Sequence, residues 1–142
     1  MTIAAILKGR EGQVISIGGT AKVSDAIALL AGRRIGALPV VEGNRVLGIF
    51  SERDVIYCLA SAGAAALDRP VAEVMTRPAH TVAPNHTVLG ALSLMTQRRF
   101  RHLPVVDGDS LVGIVSIGDL VKHRIDKIEA EAEAMREYIQ TA

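Results

Sequence analysis

The chain writes one passage twice. Residues 38–54 read LPVVEGNRVLGIFSERD, and residues 103–119 read LPVVDGDSLVGIVSIGD. A shift of 65 aligns residues 23–54 with 88–119 without a gap, and 14 of those 32 pairs are identical. Among them are Arg33/Arg98, Pro39/Pro104, Gly48/Gly113, Ser51/Ser116 and Asp54/Asp119. Self-similarity at a fixed period marks a duplicated structural unit. A unit of about 60 residues buries too small a share of its surface to be stable alone, so the two copies are expected to pack together.

Each copy follows the same grammar. A short apolar run, VISI at 14–17 or HTV at 80–82, reads as a first strand. Val23, Ala26, Ile27 and Leu30 then recur at helical spacing, as do Val88, Ala91, Leu92 and Met95. Two β-rich runs follow, 38–41 and 46–50 in the first copy and 103–106 and 111–115 in the second. They are joined by Glu-Gly-Asn or Asp-Gly-Asp, which is hairpin chemistry. A second helix opens at Ser51 or Ser116. The expected fold is mixed α/β (α+β): two tandem β-α-β-β-α repeats related by a pseudo-two-fold axis, plus a long C-terminal helix. The first repeat is placed at 1–67, the second at 68–125 and the helix at 119–140, with a turn-rich linker at 65–70.

Composition closes off several functions. Hydrophobic residues make up 49% of the chain and aromatics only 3%, with no Trp, so the core must be aliphatic and stacking platforms for nucleic acid are scarce. A net charge of +1 gives no global field to steer the chain toward nucleic acid or an anionic membrane. The longest small or apolar run, 55–67, is too short to span a bilayer. Cys58 stands alone, and residues 1–10 do not read as a signal peptide, so a cytoplasmic setting is expected. His80, His86, His102 and His123 lack metal-ligand pair spacing, and no metal is expected. No P-loop, dinucleotide fingerprint or nucleophile elbow occurs, so no enzymatic activity is expected.

Ser51–x–x–Asp54 and Ser116–x–x–Asp119 each follow a strand and open a helix. As capping motifs they satisfy free backbone N–H groups and complement the helix dipole. The same geometry serves a ligand: a helix N-terminus attracts phosphate, and a carboxylate in the first turn can accept hydrogen bonds from a ribose diol.

These residues, twice over and with VAEVMTR at 71–77 before the second copy, resemble a tandem pair of CBS domains, named after cystathionine β-synthase. The resemblance covers about residues 6–120. It implies a regulatory module, often dimeric, that binds adenosine-containing ligands in clefts between its repeats. AMP comes first, with ADP, ATP and NAD(H) as alternatives. It assigns the ribose to Asp54 and Asp119, with Ser51 and Ser116 beside them, and Gly118 allows close backbone approach. Arg101 and His102 face the phosphates at the Asp119 site, and Arg53 is the substitute cation at the other. Adenine contacts fall to Ile15 and Gly36 at one site, and to Thr76 and His80 at the other. The rival reading is a ligand-independent dimerisation module with vestigial clefts.

In the tail, Val121, Ile125, Ile128, Ala132, Met135 and Ile139 alternate steps of four and three. That is a heptad seam flanked by charged residues, whose natural cover is a partner helix from a homodimer or a target protein.

Overall fold

The computed structural model describes residues 1–10 and 14–141. The elements run α1 (Ile3–Leu7), β1 (Ile17–Gly18), α2 (Val23–Arg33), β2 (Ala37–Glu42), β3 (Arg45–Ser51) and α3 (Glu52–Ala62). A 3₁₀ turn (Gly63–Asp68) leads to α4 (Val71–Val74), α5 (Val88–Arg98), β4 (His102–Asp107), β5 (Ser110–Ser116) and α6 (Ile117–Thr141).

The duplication is reproduced residue for residue in the hairpins. Strands β2 and β3 pair antiparallel from Ala37↔Ser51 to Glu42↔Arg45, with a register shift between Val40 and Val41. Strands β4 and β5 pair from His102↔Ser116 to Asp107↔Ser110, with the shift at Val105/Val106. Each turn places a glycine at positive φ, Gly43 at 62° and Gly108 at 63°, the first-position glycine that a type II′ hairpin demands. Helices α2 and α5 both end on an arginine in the left-handed region, Arg34 at φ 53° and Arg99 at 58°.

The first strands are shorter than their apolar runs suggest. Strand β1 takes only Ile17 and Gly18, paired parallel to β2, and leaves Ile15 outside the ladder. In the second copy HTV forms no strand, and only a parallel bridge, Val82↔Val105, marks the place. An apolar run sets only a candidate strand, and here only the end of each run reaches the neighbouring strand. The linker at 65–70 is also more ordered than a turn. Most of it lies in the 3₁₀ segment, which puts Ala66 into the first core at 0% exposure.

Two separate cores form, and short segments are exchanged between them. The first is built on Val23, Leu38, Val40 and Phe50, and is joined by Val71 and Val74 from beyond the linker. The second is built on Val88, Leu103, Val105 and Val115, and is joined by Ile3 and Ile6 from the chain's beginning. The docking is the same in both. Val71 N–H donates to Ala21 O and Val23 N–H to Arg69 O, while Ile3 N–H donates to His86 O and Val88 N–H to Met1 O. Residues 2–8 (TIAAILK) and 70–76 (PVAEVMT) are therefore counterparts at an offset of 68, and the first copy is three residues longer between this block and its next helix. The exchanged segments explain one shared glycine. A Cβ on Gly48 would lie 2.6 Å from Thr76 O and 2.8 Å from Met75 Sδ, and one on Gly113 would lie 2.7 Å from Leu7 Cδ2. Only glycine admits a crossing segment so close.

Chain termini ordinarily fray, but Ile3 is fully buried. Ile3→Ala is expected to destabilise the protein by about 2–4 kcal/mol, from lost burial plus a residual cavity. Urea unfolding checks this: the midpoint should fall substantially, whereas a frayed terminus would leave it unchanged.

Candidate functional site

Strand β3 ends at Ser51 and β5 at Ser116, and each serine is the residue from which the next helix starts. Asp54 and Asp119 sit three residues on. Asp54 Oδ2 accepts from Ser51 N at 2.9 Å and from Ser51 Oγ at 3.1 Å. Asp119 Oδ2 accepts from Ser116 N at 2.9 Å, while Asp119 N–H donates back to Ser116 Oγ at 3.0 Å. The capping role is thus real in both copies, and it fixes each carboxylate at a helix N-terminus.

The capping role does not use all of either carboxylate. Asp54 is the one charged residue buried among the described residues, at 7% exposure. Its second oxygen, Oδ1, accepts a 2.8 Å bond from Thr76 Oγ1, carried in by the exchanged segment that also bridges Ile49. Asp119 receives its second partner from the exchanged segment of the other half. Arg10 holds it bidentately, Nη2 to Oδ1 at 3.0 Å and Nη1 to Oδ2 at 3.3 Å. Each aspartate therefore stands where sequence from both ends of the duplication converges. One is met by a hydroxyl and the other by a guanidinium.

The halves touch directly beside these groups. A Cβ on Gly36 would lie 2.8 Å from Glu52 Oε1 and 3.0 Å from the His102 ring, so Gly36 marks the contact between β2's approach and β4's start. Gly36 O accepts from Glu52 N–H, and its counterpart Arg101 O accepts from Ile117 N–H. His102 is held below its ordinary pKa, chiefly by burial and further by Arg101, against the pull of Glu52 and Asp119. The imidazole is therefore neutral at pH 7. Leu111 N–H donates to Asn44 O across the seam at 3.0 Å.

Other expected residues make contacts of their own or stand exposed. Arg53 Nη1 donates to Arg99 O, 3.4 Å away, at the C-cap of α5, an exposed contact between the halves. Arg101 and Gly118 are exposed. His80 stacks on Phe100, with ring centroids 5.1 Å apart and planes 18° from parallel. Their counterparts in the first copy, Ile15 and Ile35, pack against the edge of the first core. The same two positions are thus aliphatic in one copy and aromatic in the other. Arg10 is the residue that sequence reasoning missed. It lies outside the gapless alignment, and only the three-residue difference between copies brings the first segment into register with residues 70–76. A separate hollow of about 190 Å³ lies away from the aspartates, between Met1, the start of α5 and His123, Arg124 and Lys127 of α6.

Two carboxylates at equivalent positions of a duplicated α/β unit, each met by a segment exchanged between the halves, define a tandem-repeat module. The chain belongs to the CBS domain family, whose model matches residues 11–61 and 71–126. It is 35% identical over 123 residues to the CBS domain-containing protein CBSX3, mitochondrial, of Arabidopsis thaliana, covering 83% of this chain and 60% of that protein's length. It is similar to the crystal structure of the CBS-domain containing protein ATU1752 from Agrobacterium tumefaciens, with a TM-score of 0.81, 36% identity and coverage of 87% and 92%. It also resembles CBSX2 solved in complex with AMP, with a TM-score of 0.72, 26% identity and coverage of 82% and 91%. No helix among the described residues is long and apolar enough to cross a membrane.

Burial alone would raise the Asp119 pKa, but the Arg10 guanidinium and the Ser116 hydrogen bonds outweigh it and hold the group below its ordinary 3.8. A carboxylate with a depressed folded-state pKa contributes stability that is present above 3.8 and is lost as pH falls through the folded value. The Arg10→Ala variant is expected to titrate Asp119 at higher pH, read by carboxyl-carbon NMR. Because Arg10 is 42% exposed, the accompanying stability loss at pH 7 should be small, about 0.5–1 kcal/mol, and should vanish once Asp119 is protonated. An unmoved Asp119 titration would show that the ion pair does not persist in solution.

Proposed function

We propose that this chain is a non-catalytic sensor that binds an adenosine-containing nucleotide at the seam between its repeats, AMP first and ADP, ATP or NAD(H) as alternatives. The observation that carries this reading is the placement of Asp54. It is a buried carboxylate, locked at a helix N-terminus, beside a contact between the halves that Gly36 keeps open to close approach. Asp54 Oδ2 already accepts two bonds from Ser51, whereas Oδ1 accepts only the one from Thr76 and keeps a lone pair for a ribose hydroxyl. The CBSX2 structure with AMP supports the ligand class.

The two sites are not equal in this reading. The Asp54 site, with Ser51 and Thr76, accepts the ribose without displacing a charge. At the Asp119 site the diol competes with Arg10, and that guanidinium, once displaced, joins Arg101 as a cation for phosphate. The satisfied Arg10–Asp119 pair also favours a second reading for that site alone, in which it is a structural latch and binds nothing. A reducing compartment such as the cytoplasm suits the buried, unpaired Cys58.

Isothermal titration of the chain with AMP, ADP, ATP and NADH tests the reading. At least one is expected to bind, and Asp54→Ala should weaken it by about ten- to a hundredfold, the worth of a charged hydrogen-bond acceptor. Asp119→Ala separates the two readings of the second site by its effect on stoichiometry. No heat with any of the four ligands would remove the proposal and leave a ligand-independent module.

A further inference from the structure

Helix α6 has 25 residues where its counterpart α3 has 11. Its first turns rest on the body: Leu120 is fully buried, and His123, Arg124 and Lys127 are half-buried against neighbouring elements. From Ile128 to Thr141 every residue is exposed. A solitary helical segment of about 12–15 residues is marginal in water, because few bonds offset the ordering of its backbone. Yet this segment carries a continuous apolar seam. Val121, Ile125 and Ile128 are 43%, 49% and 49% exposed, and Met135 and Ile139 are 60% and 67% exposed, with Ala132 between.

The charges beside the seam identify what covers it. Taking Ile125, Ala132 and Ile139 as heptad position a, and Val121, Ile128 and Met135 as d, position e holds Lys122, Glu129 and Arg136 while g holds Arg124, Glu131 and Tyr138. In a parallel pair of helices each g residue faces the following e residue of the partner. That sets Arg124 against the partner's Glu129 and Glu131 against the partner's Arg136, opposite charges in both cases. In an antiparallel pair with Ile128 opposite Ala132, e meets e and g meets g. That sets Glu129 against the partner's Glu129, Glu131 against the partner's Glu131, and Lys122 against the partner's Arg136. All three are repulsive.

The body allows the parallel arrangement. At 100° per residue, the seam lies roughly a quarter-turn around the helix from the Leu120 face that rests on the body. A two-fold axis parallel to the helices then puts the two bodies on opposite sides of the helix pair. We propose that the seam of α6 is covered by α6 of a second copy of this chain, in a parallel, in-register two-stranded coiled coil. Among the described residues one contact competes for these charges, Arg136–Glu133 within the helix, 2.9 Å long and exposed at both ends, an interaction worth about a few tenths of a kcal/mol. It gives way readily.

Sedimentation equilibrium on the full chain tests this with variants at exposed positions that leave the body intact. The chain is expected to reach twice its 15.0 kDa mass. Arg136→Glu sets like charges against each other at two symmetric g–e contacts and should weaken the dimer on the order of tenfold. The double variant Glu131→Arg/Arg136→Glu restores opposite charges and should recover it. Met135→Asp, placed in the seam itself, should give monomer. A monomeric chain at tens of micromolar, or a dimer indifferent to Met135→Asp, overturns the proposal. So does a dimer that Arg136→Glu tightens, since in the antiparallel pair that change turns the contact with the partner's Lys122 attractive.

Discussion

The exchange of short segments between the halves is the contact on which the rest of the molecule depends. Ile3 and Ile6 complete a core built on residues some eighty to over a hundred positions later, while Val71 and Val74 complete the core that precedes them. Neither core closes without chain from the other side of the duplication, so the halves cannot drift apart as beads on a linker would. The glycines at 48 and 113 follow from the same constraint, because the crossing segments lie where any side chain would stand. The partners of the two aspartates follow too, since Thr76 and Arg10 arrive on the ends of those same segments.

Symmetry in the backbone is what makes the differences in side chains informative. The hairpins, their register shifts and their helix starts agree copy for copy, so an unlike residue at a like position changes chemistry without changing geometry. Asp54 faces a hydroxyl and is buried, whereas Asp119 faces a guanidinium and keeps 27% of its side chain exposed. Arg53 caps α5 across the seam through Arg99, while its counterpart Gly118 has no side chain to return the contact to Arg34. Ile15 with Ile35 becomes His80 with Phe100. One duplicated arrangement thus presents two surfaces of different charge and polarity.

The hairpins, the main helices and the Ser-x-x-Asp corners were legible in the sequence because each rests on local rules: helical spacing, glycine at positive φ and N-terminal capping. What escaped was non-local. Nothing in HTV reveals that only Val82 meets a neighbouring strand, because strand length depends on how far the adjacent strand extends. Nothing within residues 2–10 reveals that they serve the far core; their likeness to 70–76 is one of hydrophobic type and is displaced by three residues from the main alignment. Arg10 was invisible for that reason, and nothing in the motif shows that Arg53 reaches the Arg99 carbonyl across the seam.

The C-terminal helix owes its length to a single position. In the first copy α3 stops at Gly63, which takes φ 61° and turns the chain into the 3₁₀ segment that seats Ala66 in the core. The residue at the same place in the second copy is Ile128, which cannot adopt that conformation cheaply and instead favours continuing the helix. Replacing a stop by an isoleucine does two things at once. It extends the helix past the body, and it adds a large apolar side chain to the seam that the extension exposes, 49% accessible. A helix extended into solvent without a partner has no use for isoleucine there, or for flanking charges that alternate in sign beyond it. The departure from duplication at this position is therefore coupled to an exposed apolar seam with the spacing that a second helix covers.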